Sequence, residues 1–335
     1  MIDLKTKYMG LELASPVVAS ASPLNSRVDN IVALEQFGAG AVVLPSIFEE
    51  QIEAERGELY SRMSAGSESF PEANTYFPNL EEFVVGTDRY LELIRRAREA
   101  VDIPIIASLN GATGQGWIQY AKEIEAAGAS ALELNIYMIP ADMTLGALDV
   151  ELRYAEIVGS VSESVGIPTA VKLSPYFSAL GGVARRLEKV GASGLVLFNR
   201  FYQPDIDLQE LSLRHDLELS RKNEIRLPLL WIALLAGNVN LSLAATSGVQ
   251  TADEVVKYIL AGADVVMTTS ALLRNGVEYM ATLVEGLQFW LESRGFRSVD
   301  AARGTFSHGR VSDPAAFERA NYIHVLQAAS REILA

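Results

Sequence analysis

Lys172 is the residue whose type and setting carry the most chemistry in this chain. It stands in Ala170-Val-Lys-Leu-Ser-Pro175, near the C-terminal end of an apolar run that reads as a buried strand. An ammonium taken out of water is costly unless an anion offsets it. Two partners stay open: an interior carboxylate such as Glu133, or an anionic ligand at the strand's end. Asn135 and Asn199 close two further apolar runs. Buried amides need partners, and two that converge suit a planar heterocycle with alternating donors and acceptors. Each could equally cap a neighbouring loop. Two turns of small residues, Thr246-Ser-Gly248 and Thr268-Thr-Ser270, have the character of phosphate sites, where backbone N–H groups must approach the ligand closely. Small residues also fill ordinary tight loops, so these turns gain weight only from following the last two strands.

Short β-rich runs alternate with amphipathic helical stretches along the whole chain. The pattern predicts strands at 17–19, 41–44, 105–109, 131–135, 169–173, 194–198, 241–245 and 264–268. Helices are predicted at 28–37, 88–100, 117–127, 148–165, 182–190, 228–236 and 251–261, with one more at 278–294 after the last strand. A Gly-Ala pair recurs between helix and strand, at Gly38, Gly128, Gly191 and Gly262, where a left-handed cap would end the helix. Eight such units predict an α/β fold, either a closed (β/α)8 TIM barrel or an open doubly wound sheet. The first strand-to-helix turn reads Ser20-Ala-Ser-Pro-Leu-Asn25 and lacks the glycine fingerprint of a dinucleotide-binding open sheet. The barrel is therefore expected, as one domain over residues 1–335. Long insertions follow the second and sixth strands, at 48–86 and 200–226, on the face where barrels carry their active sites. Residues 4–7 and 11–13 read as a hairpin closing the barrel bottom. The stretch from Asp313 to Ala335 reads as a terminal helix capped by Asp313.

Composition narrows the chemistry. A formal net charge of −14 argues against nucleic acid as a partner, since phosphate binding needs clustered Lys and Arg. With no cysteine there is no disulfide, thiol nucleophile or Cys-ligated cluster, and three scattered histidines make no metal site by spacing. No metal is expected. The longest apolar run, 227–236, is too short to span a bilayer. Met1-Ile-Asp-Leu-Lys5 has no apolar stretch behind its charge, so no signal peptide is read and a cytoplasmic protein without membrane contact is expected.

Ala245-Thr-Ser-Gly-Val-Gln-Thr251, with Val255 and Gly262-Ala263, matches a known phosphate-loop signature except that Ser247 replaces a glycine. Together with Ser15-Pro16, the Ser20–Ser22 turn, Gly38-Ala39, Phe77-Pro-Asn79, Val171-Lys-Leu173, Asn199 and Leu211-Ser-Leu-Arg214, it resembles the dihydroorotate dehydrogenases, especially the soluble class 1 forms, over nearly the whole chain. The resemblance implies FMN across the barrel top. It puts Ser20, Ala21 and Ser22 under the isoalloxazine, with Ser46 and Asn135 also at the cofactor. It sets Lys172 near ring atoms N1 and O2, where it would stabilise the anionic reduced flavin. Ser247, Gly248, Thr269 and Ser270 would hold the phosphate, and Asn74, Asn79 and Asn199 the substrate.

The departures from that family are as informative. Its catalytic base, a Cys or Ser, falls here on Met138, in Asn135-Ile-Tyr-Met-Ile-Pro140. A second lysine expected near the second strand's end is Pro45. The substrate loop reads Asn74-Thr-Tyr-Phe-Pro-Asn79, with Tyr76 at a glycine position, and a phosphate-side glycine is Leu213. A general base contributes about 10²–10⁴-fold in rate. Ordinary dihydroorotate oxidation is therefore not expected unless Tyr137, beside Met138, substitutes, and an unperturbed phenol near pKa ~10 is a poor base at neutral pH. Two expectations follow: an FMN oxidoreductase acting on a CH–CH bond of a small planar acid, or a non-catalytic, regulatory relative that keeps the barrel. Its partners would be a small-molecule substrate, a second copy in a homodimer, or a redox partner protein.

Overall fold

The computed structural model of the chain describes residues 2–52, 87–111, 115–200, 204–214, 217–318, 322–323 and 325–327. The first hairpin pairs β1 (Thr6–Tyr8) with β2 (Leu11–Leu13) in antiparallel register. The barrel strands follow: β3 (Val17–Ala19), β4 (Ala41–Phe48), β5 (Ile105–Gly111), β6 (Ala131–Ile136), β7 (Thr169–Leu173) and β8 (Gly194–Leu197). A second hairpin, β9 (Asp205–Asp207) with β10 (Ser212–Arg214), interrupts the series before β11 (Ser242–Ala245) and β12 (Val265–Thr268) complete it. The eight barrel strands pair in parallel in the closed order β11-β12-β3-β4-β5-β6-β7-β8. The expected (β/α)8 barrel is the fold.

Strand periodicity sorts the side chains into two populations. One face of each strand, with residues such as Val17, Val42, Leu132, Val171 and Leu243, packs outward against the surrounding helices. The other face, with Val18, Ala41, Val43, Ile106, Ala131, Ala170, Val196, Ala244, Val265 and Met267, fills the barrel. Several of these inward residues are alanines because the hairpin supplies the missing volume from below. Tyr8 and Met9 are buried in that same cluster. A side chain on Gly194 would begin only 3.1 Å from Met9 Cγ and 3.5 Å from Tyr8 Cε2. The hairpin is pinned to the barrel by Met9 N–H to Ser242 Oγ at 2.9 Å and Thr6 Oγ1–H to the Asp264 carbonyl at 2.9 Å. Asp264 Oδ1 in turn lies 2.5 Å from Arg303 Nη1, and Oδ2 accepts the Leu243 N–H at 2.7 Å.

The four Gly-Ala junctions behave as read: Gly38, Gly128, Gly191 and Gly262 all have positive φ, between 89° and 120°. Other features depart from expectation. Strand β4 runs to Phe48, with a register shift between Val43 and Ser46. Pro45 has no N–H to give the ladder, so the strand slips there and Ser46 takes the inward place. The hairpin β9–β10 and a six-residue helix, Ser270–Asn275, were not anticipated. The expected terminal helix starts as a 3-10 turn, Pro314–Phe317, without a cap hydrogen bond from the Asp313 side chain, and the described residues 322–323 and 325–327 beyond it are helical. The second insertion lies at the C-terminal mouth. The first leaves β4 at that same end, and its residues 53–86 are outside those described.

Candidate functional site

Above the apolar layer, the inward positions become polar. Ser108 follows Ile106, Glu133 follows Ala131 and Lys172 follows Ala170, each two residues further along its strand, and the register pairs Ser108 with Glu133 and Asn135 with Lys172. Glu133 is 1% exposed and Lys172 9%. The Lys172 Nζ lies 3.5 Å from Glu133 Oε1, and neither Glu133 oxygen has a hydrogen bond. Below them the Tyr8 hydroxyl is also without a partner. Burial first, and then the charges of Glu133 and Asp264, push its ionisation well above the ordinary phenol value, so it stays neutral. Ser46 Oγ and Ser108 Oγ lie 2.8 Å apart in this layer. Ser46 is therefore engaged inside the barrel and is not among the residues of the cleft above.

A cleft opens at the C-terminal ends of β3, β7, β8, β11 and β12. The structure brings Ser20, Ala21, Lys172, Asn199, Ser247, Thr269 and Ser270, all singled out in the sequence, together along it. Asn199 Nδ2 donates to Asn135 Oδ1 at 2.6 Å, so the two amides meet each other. Asn199 lines the cleft, and Asn135 lies buried behind it and is not among the cleft's lining residues. Ala21 O accepts from Thr269 Oγ1 at 3.3 Å, which joins the turns after β3 and β12. Ser22 is buried with its hydroxyl unpartnered, and it does not line the cleft.

The two small-residue turns divide in role. Ser247 and Gly248 both have left-handed backbone, with φ of 77° and 73°. Ser247 faces the cleft. Gly248 does not line it, and a Cβ there would sit 2.7 Å from the backbone N of Ile225. Its missing side chain makes room for the 3-10 turn Lys222–Ile225 of the second insertion. The Ser270 hydroxyl is 2.7 Å from Ser220 Oγ and accepts from Gln250 Nε2 at 2.7 Å, so only its backbone is uncommitted.

Met138 is partly buried and packs against the hydrophobic core, and neither it nor Tyr137 lines the cleft. Asn74 and Asn79 lie outside the described residues. Sequence reasoning placed the second insertion on the active-site face but named none of its residues at the site: Leu217, Glu218, Leu219 and Ser220 form one wall, and Arg200 stands at its root. The signal for Arg200 was the one used for Lys172, a cation at the end of an apolar strand. It was masked because Arg200 was read as the first residue of the loop.

The donor set is thus two cations, a pair of amides and several hydroxyls, which suits a polar, anionic ligand with a planar part. A family model described as dihydroorotate dehydrogenase matches residues 3–291. A protein of Aeropyrum pernix assigned as a dihydroorotate dehydrogenase A (fumarate) is 26% identical over 304 residues, covering 89% of this chain and 95% of that one. The dihydroorotate dehydrogenase B (NAD(+)) catalytic subunit of Methanothermobacter thermautotrophicus is 24% identical, over 90% of this chain and 97% of its own. The subunit of the same name from Bacillus cereus is 28% identical over 62% of this chain and 68% of its own.

Proposed function

The chain belongs to the dihydroorotate dehydrogenase family, and on that premise we propose that it is an FMN-dependent oxidoreductase of CH–CH bonds whose substrate is a small planar acid other than dihydroorotate. The observation that carries this reading is the buried Lys172, paired with Glu133 at 3.5 Å, opening onto a cleft that the Asn199 amide also lines. FMN, when bound, supplies a two-electron acceptor and donor. Lys172 would place its charge against the electron-rich edge of the ring, and Ser20 and Ala21 would support it from β3. Ser247, Thr269 and the backbone of Ser270 would meet the phosphate. The donor set fits the group in kind: cation for the ring edge, hydroxyls and backbone N–H for the phosphoester, amides for a planar acid. Part of the family bears the name catalytic subunit, which supports a second, electron-transferring chain as partner. A homodimer is equally compatible.

Dihydroorotate itself is a poor fit. Its oxidation requires a base within about 3 Å of the carbon that loses the proton. The Met138 thioether cannot take that proton, and it packs into the core rather than facing the cleft. Among the described cleft residues the ionisable ones are Lys172, Arg200 and Glu218, and Glu218 is exposed and 3.5 Å from Arg221. The test is a visible spectrum followed by stopped flow. Purified protein should show flavin bands near about 370 and 450 nm, and dihydroorotate should leave the flavin oxidised. Because residues of a catalytic unit do not act additively, Met138→Cys should restore little. Rapid bleaching by dihydroorotate would overturn the altered substrate. Bound flavin with no turnover for any donor or acceptor would favour the non-catalytic relative, which the core-packed Met138 also supports.

A further inference from the structure

Arg200 is the cleft's second cation, and its setting is unusual. It leaves the end of β8 directly after Asn199, where Asn199 N–H to Leu173 O at 2.8 Å and Thr246 N–H to Leu197 O at 2.9 Å fix the chain. Its Nη2 lies 3.5 Å from Glu224 Oε1. That oxygen already accepts the Arg221 N–H at 2.9 Å, so it neutralises Arg200 only in part. The Arg200 Nη1 is buried and has no hydrogen-bond partner. A guanidinium nitrogen held out of water without an acceptor is costly, and a ligand oxyanion would remove that cost. Glu224 belongs to the same turn, Lys222–Ile225, whose Ile225 N packs on Gly248. Arg200 is therefore tied to the side of the cleft that carries Ser247, whereas Lys172 is tied to Glu133 inside the barrel. In a chain of net charge −14, two cations in one cleft with separate tethers divide the work on an anionic ligand.

We propose that Arg200 is the phosphate-binding cation of this cleft, giving its planar fork to the phosphoester of FMN while Lys172 serves the ring. The inference rests on the FMN reading above. A fork of N–H donors matches phosphate oxygens in both geometry and charge. Glu224 is then a competitor: it holds the guanidinium in place and weakens its charge.

The test titrates flavin-free protein with FMN and with riboflavin, which lacks the phosphate, following flavin fluorescence. The unmodified protein should prefer FMN by about 100-fold or more. Arg200→Met should weaken FMN about 30–100-fold and change riboflavin by less than about two-fold, with Arg200→Lys between. Glu224→Gln keeps an acceptor for Arg221 N–H but removes the competing charge, so FMN should tighten a few-fold and riboflavin should not. If neither flavin binds the unmodified protein, the FMN reading falls and takes this inference with it. If FMN binds but without preference over riboflavin, or Arg200→Met keeps the preference, the reading survives and the Arg200 inference is overturned. Should Arg200→Met lose both flavins together, Glu224→Gln decides: FMN affinity unchanged or weaker overturns the proposal.

Discussion

Lys172 and Glu133 depend on each other before any ligand is considered. Glu133 is 1% exposed, neither oxygen is hydrogen-bonded, and the Lys172 ammonium at 3.5 Å is its countercharge. Removing one member of a buried ion pair strands the other, at about 3–5 kcal/mol, whereas replacing both with neutral groups of similar volume is often nearly neutral. Lys172→Met should therefore destabilise the flavin-free protein by that amount in urea unfolding, and adding Glu133→Gln should recover most of it. Additive losses in the double variant would mean the two do not interact. In flavin-loaded protein, Lys172→Met should lower the flavin potential, since a cation near the ring favours its more negative form. An unchanged potential with flavin bound would remove Lys172 from the ring. At this scale the site was legible where type and position coincide: Lys172 and Asn135 stand near the ends of apolar strands, whose alternation dictates which way they face. The packing role of Gly248 was not legible, because a turn glycine serves a ligand or a packed backbone equally well and Ile225 arrives from a distant segment.

At the scale of elements, the second insertion is tied to the barrel by hydrogen bonds from Gln250 and Arg274 and by ion pairs, and one of these ties titrates. Lys222 Nζ lies 3.0 Å from Glu254 Oε1, while Glu254 Oε2 accepts from Thr251 N at 2.9 Å and Thr251 Oγ1 at 2.8 Å. Burial works to raise the Glu254 carboxyl, but the Lys222 and Thr251 donors outweigh it and hold it below its ordinary value of 4.5. A carboxyl held low adds stability that is complete above its unfolded-state value and is lost as pH falls through its folded-state value. Acidification from about pH 7 to below about 4 should therefore loosen the turn Lys222–Ile225. Amide exchange there, corrected for the intrinsic rate, should quicken, and Glu254→Gln should flatten that dependence. A flat profile in the unmodified protein would show that the tether does not hold the turn. Elements with a buried face were the ones sequence periodicity could find. The hairpin β9–β10 escaped although Ile206, Leu208, Leu211 and Leu213 alternate with polar residues, because its arms are only three residues each and all four apolar side chains are 61–84% exposed, so the pattern marks no buried face. The helix Ser270–Asn275 is too short for a period to register.

For the whole molecule, the two ends of the barrel have different duties. The lower end is built for stability: the hairpin fills it, and Arg303 joins Asp264 to the terminal segment. Burial pushes the Asp264 carboxyl above its ordinary value, against the opposing pull of the Leu243 N–H and Arg303. Arg303→Met should cost about 2–4 kcal/mol at neutral pH by stranding that carboxylate. Its folded-state value would then rise further, and a raised carboxyl penalises folding above that value and less as it protonates. The loss measured by urea unfolding should accordingly shrink between about pH 8 and pH 5. An equal loss at both would assign it to packing instead. The upper end is built from loops and carries the cleft. Because Tyr8 and Met9 stopper the base, the barrel is a flask with one neck. Lys172 both lines the cleft above and pairs with the buried Glu133 carboxylate, so a ligand seated on Lys172 would cork the flask over that charge.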